Sequence, residues 1–94
     1  MRLSDWERNA IVSAVHGFDA QAQVFLFGSR VDDAKKGGDI DLLVRSDSIG
    51  PAERRQIRRS ICDVIGEQKI DILVAADLAD PLARVAQRTG VLLQ

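Results

Sequence analysis

Residues 24–45 read VFLFGSRVDDAKKGGDIDLLVR, and the fold follows from how this stretch divides. Val24 to Phe27 is a short β-branched and aromatic run that stops at Gly28, the pattern of a buried strand ending where the backbone turns tightly or approaches a ligand. Ser29 and Arg30 follow at once. Beyond a polar connector, Asp39-Ile40-Asp41-Leu42-Leu43-Val44 opens a second apolar strand. Side chains alternate along a strand, so Asp39 and Asp41 fall on one face and Ile40, Leu42 and Val44 on the other. Two carboxylates therefore stand side by side at a strand opening.

Carboxylates so placed repel unless a positive charge lies between them. The hard partner suited to paired aspartate oxygens is Mg²⁺, which keeps waters and completes its shell from substrate phosphates. Gly28 and Ser29 offer a phosphate site nearby, with backbone N–H groups left accessible by the glycine, a hydroxyl, and the Arg30 guanidinium as further donors. Together the two halves point to metal-assisted transfer of a phosphorus group. With 11 Asp in 94 residues, a D-x-D pair arises about once by chance. The pair is thus informative only through its context: a strand ending in Gly-Ser, a short connector, and aspartates opening the next strand. Taken alone, the two aspartates would merely keep a strand end soluble.

The remaining chain supplies support. Ser4-Asp5-Trp6-Glu7 has the form of a capping box, and Ala10, Ile11, Ala14 and Val15 recur on one face of a first helix that stops at Gly17, with Phe18 expected to fold back on the core. Trp6 reads as a helix-packing residue, and His16 as a polar residue at the helix end. The connector Asp32 to Gly38 has room for a helical turn, with Lys35 and Lys36 in a solvated loop. A second helix from Pro51 to Gly66 buries Ile57, Ile61, Val64 and Ile65 and presents Arg54, Arg55, Arg58 and Arg59 on its other side, as a solvated face or a patch for an acidic partner. Lys69 to Ala75 reads as a third strand. In it Asp71 faces the same way as Leu73, and a lone carboxylate in so apolar a strand needs a strand opening, a hydrogen bond or a cation. Next to the Asp39/Asp41 strand it completes a cluster able to hold two metal ions. Asp80-Pro81 starts a last helix with Leu82, Val85, Ala86 and Thr89 on its face. The tail Val91 to Leu93 must pack as an edge strand or against a partner subunit.

Length and composition bound the function. A chain of 94 residues with 46% apolar residues is a single domain, residues 1–94, with one small core and little surface for a second task. A net charge of −1 disfavours a long nucleic-acid partner. Cys62 is the only cysteine and reads as a core residue, which suits a reducing cytoplasm. No apolar run approaches the roughly 18 residues needed to span a bilayer, and the first residues lack the order of a secretory signal. The alternation of strands and helices gives an α/β fold with a small sheet.

On Gly28, Ser29, Asp39 and Asp41 the chain resembles the minimal nucleotidyltransferases (MNT) of the DNA polymerase β superfamily, whose signature is G-S followed by D-x-D at the start of the next strand. Arg30 matches members that read G-S-R, Asp71 matches a third carboxylate on a later strand, and the Gly-Val segment near the end is similar to theirs. The connector departs from the compact Arg-Gly sequence of many members. The resemblance implies a mixed β-sheet packed with helices, the polymerase β-like nucleotidyltransferase fold. It also implies Asp39, Asp41 and Asp71 as catalytic residues and ligands of two Mg²⁺ ions, with Asp71 placed to take the acceptor's proton, and Gly28, Ser29 and Arg30 as holders of the triphosphate. By kinship with short stand-alone members, it implies ATP as donor of AMP, a tyrosine of a HEPN-domain toxin as acceptor, and an antitoxin role in a hetero-oligomer. Two alternatives stand beside it: an antitoxin that neutralises its partner by steric cover, and a nucleotidyltransferase of small molecules.

Overall fold

Ser4 starts the first helix, α1 (Asp5–His16), through a reciprocal pair of bonds. Its hydroxyl accepts from the Glu7 N–H at 3.1 Å, and the Glu7 carboxylate accepts from the Ser4 N–H at 3.0 Å, so two of the helix's orphan donors are satisfied. This computed structural model describes residues 3–31 and 39–94, with Ser29 described by its backbone alone. The expected helical turn and loop lysines of residues 32–38 lie outside that range. After α1 come β1 (Gln23–Phe27), a short 3₁₀ turn (Gly28–Val31), β2 (Ile40–Arg45), α2 (Pro51–Ile65), β3 (Ile70–Ala75), α3 (Pro81–Thr89) and β4 (Val91–Leu92).

The described residues form a four-stranded mixed sheet in the order β3-β2-β1-β4. β1 runs antiparallel to β2 and β4, while β2 and β3 are parallel. A parallel pair needs a crossover, and α2 provides it. With three helices on this sheet, the architecture is the α/β one expected, the mixed sheet packed with helices that the resemblance implies.

Alternation divides the sheet into two faces. Val24, Leu26, Ile40, Leu42, Val44, Ile70 and Ile72 form the main core with Ile11 and Val15 of α1 and Ile57 and Ile61 of α2. On the other face, Phe25 and Leu43 meet Ala83 and Ala86 of α3. The contact is made by the alanines, which let α3 lie close on the sheet. Leu82 and Val85, expected on the packed face, are exposed instead. Two further expectations fail for local reasons. Val64 is 52% exposed because the small residues Ala10, Ala14 and Ser60 leave a shallow groove between α1 and α2, which Val64 and the exposed Trp6 line. Phe18 is also exposed; at this corner Ala22 is the residue buried.

The C-terminal segment closes the sheet as an edge strand, one of its two expected placements. Leu93, 2% exposed, donates its N–H to the Val24 carbonyl at 2.7 Å, and the Val24 N–H donates to Gln94 at 2.6 Å. Arg8 of α1 donates to the Leu93 carbonyl through Nε and Nη2 at 3.3 and 3.0 Å. His16 contacts the Ala22 carbonyl at 3.0 Å, and Cys62, half-buried, donates weakly to the Gln68 carbonyl at 3.7 Å. No helix among the described residues is long and apolar enough to cross a membrane.

Candidate active site

The antiparallel pairing of β1 with β2 sets Phe27 opposite Asp41, and the parallel pairing of β2 with β3 sets Asp41 opposite Asp71. Directly opposed residues share a face, so the Asp41 and Asp71 side chains emerge together on the α3 side, beyond the apolar Phe25 and Leu43 patch. Asp39 precedes β2 by one residue and is held by Lys69, whose ammonium lies 3.4 Å from its carboxylate. The sheet brings the three aspartates to neighbouring positions at one end.

Gly28 abuts them. Its φ of +79° lies in the left-handed region, which a glycine enters without a Cβ penalty. A Cβ built there would run into the Asp41 carboxylate oxygen, lying 3.2 Å from Cγ and 3.4 Å from Cβ of that residue. The absent side chain is thus what lets the Gly-Ser turn pass directly over the carboxylate.

The electrostatics of Asp41 record this crowding. Burial, then repulsion from Asp71 and Asp39, raises its carboxyl above the ordinary value; Lys69 works the other way, and a hydrogen bond with Asp71 adds to the rise. Negative charge here exceeds the positive charge supplied by the described side chains around it. The donors are all carboxylate oxygens, the set that suits a hard cation such as Mg²⁺, and Lys69 already serves as the cation at Asp39. As the side chains stand, no three metal-ligating groups among the described residues converge on one point. For all three carboxylates to share a metal, Asp39 would leave Lys69 and Asp41 and Asp71 would turn toward a common centre.

Arg30 reaches the residue before Lys69. Its Nη2 donates to Gln68 Oε1 at 3.2 Å, and its charge acts on Glu7. Burial works to raise the Glu7 carboxyl, but hydrogen bonds from Ser4 and Gln68, together with Arg30, outweigh it and hold the group below its usual value. Arg30 thus ties the Gly-Ser turn to the start of α1 and the approach to β3. Lys69 and Gln68 were not singled out in the sequence. The signal for Lys69 was present: it lies two residues before Asp71 on the same strand face, and in the parallel register it falls opposite Asp39.

Residues 9–90 match the family model described as "Nucleotidyltransferase domain", a span that contains every residue of this site. Compared with curated proteins, the chain finds no match.

Proposed function

The chain belongs to the nucleotidyltransferase domain family, whose activity class is nucleotidyl transfer, and we propose that this protein moves AMP from ATP to a protein hydroxyl. The acceptor in this reading is a tyrosine of a HEPN-domain toxin, and the modification makes the protein that toxin's antitoxin in the cytoplasm. The observation that carries the chemical part is the Asp41–Asp71 register pair with Gly28 lying against Asp41. A triphosphate seated on the Gly28–Ser29 turn meets the carboxylates directly.

Asp39, Asp41 and Asp71 would hold Mg²⁺, which when bound neutralises the triphosphate and acidifies the acceptor hydroxyl. The backbone N–H groups of the turn receive phosphate oxygens. Asp71, the most exposed of the three, takes the hydroxyl proton as the acceptor oxygen bonds to the α-phosphorus. The bond from that phosphorus to the β-bridging oxygen breaks, and pyrophosphate leaves with the electron pair.

The test is incubation with each of the four α-labelled nucleoside triphosphates and Mg²⁺, with and without the product of the neighbouring gene, read by intact mass. One nucleotide gained by the partner from ATP, and none with Asp39→Asn/Asp41→Asn, is the expected result. A tight complex that neutralises the partner equally well with the double variant, and without transfer, would refute it in favour of steric cover. Modification of a small alcohol with no partner present would refute the protein acceptor.

A further inference from the structure

β3 is an edge strand whose outer side is open among the described residues. The Ile40 N–H donates to the Lys69 carbonyl at 3.1 Å and the Ser46 N–H to the Ala75 carbonyl at 3.2 Å. In a parallel ladder the inward groups alternate, so odd-numbered residues of β3 bond to β2, and Ile70, Ile72 and Val74 aim their N–H and C=O groups outward. Natural edges are usually blunted by lysine, proline or a bulge. This one offers six residues, IDILVA, with no proline and an unbroken register, its one charge being Asp71 near the start of the strand.

What lies beside the edge is basic. α2 runs back along β3: Arg54 near its start lines a hollow with Val74, and Cys62 near its end contacts Gln68. Arg54, Arg55, Arg58 and Arg59 are all exposed, in a chain whose net charge is −1. Among the described residues none of the four is ion-paired. Asp63 and Glu67 line one hollow with Arg55, Arg58, Arg59 and Gln68, so four arginines outnumber two acids along α2 and Arg54 is the one set beside Val74.

We propose that the edge of β3 is the docking site for the acceptor protein, which adds an extended acidic segment as a fifth strand and presents its hydroxyl beside Asp71. The transfer step itself rests on the function proposed above; the docking mode does not depend on it. Alternation dictates the rest. A residue opposite Asp71 shares its face and reaches the carboxylates, whereas residues opposite Ile72 and Val74 point to the arginine side. The acceptor segment therefore carries acidic residues one and three positions from its hydroxyl, the second about 10 Å along the strand.

Two nine-residue peptides of identical composition test this. In VEVEYEVEV the glutamates lie at odd spacings from the tyrosine; in EVEVYVEVE they lie at even spacings. The odd peptide should bind at least fivefold more tightly to the full chain by titration calorimetry, and should protect the Ile72 and Val74 amides from hydrogen exchange. Arg54→Glu/Arg58→Glu should cut that affinity at least tenfold. Val74→Pro, which removes an outward N–H and no bond to β2, should abolish the protection. Equal binding of the two peptides, binding unaffected by both variants, or protection elsewhere would overturn the docking mode. Adenylylation of the bound peptide is read separately by mass. In-register binding without transfer supports the docking mode and counts against the proposed reaction, while transfer without edge protection does the reverse.

Discussion

Gly28→Ala separates two costs that the structure places on one residue. The first is backbone strain: a φ of +79° forced on alanine costs roughly 1–2 kcal/mol. The second is collision, since the new Cβ meets the Asp41 carboxylate and drives that side chain off its rotamer at about 0.5–1.5 kcal/mol. Gly66 supplies the control. Its φ of +92° is also left-handed, but a Cβ there meets nothing within 4 Å, so Gly66→Ala carries strain alone, roughly 1–3 kcal/mol. Urea denaturation should show both variants destabilised. In an Asp41→Ala background the cost of Gly28→Ala should fall by about 0.5–1.5 kcal/mol, while that of Gly66→Ala stays unchanged. For transfer, displacement of Asp41 by even an ångström should cost about 100-fold in Gly28→Ala, with Gly66→Ala within a factor of about two. If Gly28→Ala shows no coupling to Asp41 and retains activity, the close seating of the turn on the carboxylate is wrong.

Three other outcomes follow from the same geometry. Asp41 has a raised folded carboxyl, so ionisation weighs on the folded state: its penalty is absent below the unfolded value, grows as pH rises from the unfolded to the folded value, and is complete above the folded one. Asp41→Asn should therefore raise the urea midpoint at pH 7 and have a smaller effect near pH 4; a loss of stability at pH 7 would contradict this. Glu7 has the opposite sign, a lowered carboxyl, so its contribution is present above the unfolded value and lost as pH falls through the folded one. Ser4→Ala, which removes the cap on Glu7's N–H, should cost about 1 kcal/mol at pH 7 by denaturation, and no cost would show the capping box to be idle. Leu93→Ala should cost about 2–4 kcal/mol, because the side chain is 2% exposed in the main core; a thermal midpoint unchanged in differential scanning would show the C-terminal strand to be dispensable.

The parts of the fold legible in the sequence were those set by strong local signals. The Ser4 capping box, the Pro51 and Asp80-Pro81 helix starts, and the period-2 division of Asp39 and Asp41 from Ile40, Leu42 and Val44 all correspond to what the chain forms. The same-face placement of Asp71 with Leu73 was legible too, but its pairing with Asp41 was not, because strand register depends on how α2 returns the chain. On the expected face of α3 only Ala86 packs, for a related reason. Periodicity marks Leu82 and Val85 as the largest apolar residues, whereas close approach to Phe25 and Leu43 selects the alanines. Arg30 illustrates a further limit: Gln68, which bonds its guanidinium, lies 38 residues away in sequence, and no local pattern links the two.

The central claim, that Asp39, Asp41 and Asp71 act together on a metal-bound triphosphate, is tested most directly with Mn²⁺ as a paramagnetic probe. Titrated into ¹⁵N-labelled protein with a non-hydrolysable ATP analogue, Mn²⁺ should broaden the amides of Gly28, Asp41 and Asp71 first. The effect should strengthen when the analogue is present and disappear in Asp41→Asn/Asp71→Asn. Broadening centred elsewhere, or unchanged by that double variant, would contradict the assignment of this end of the sheet as the active site.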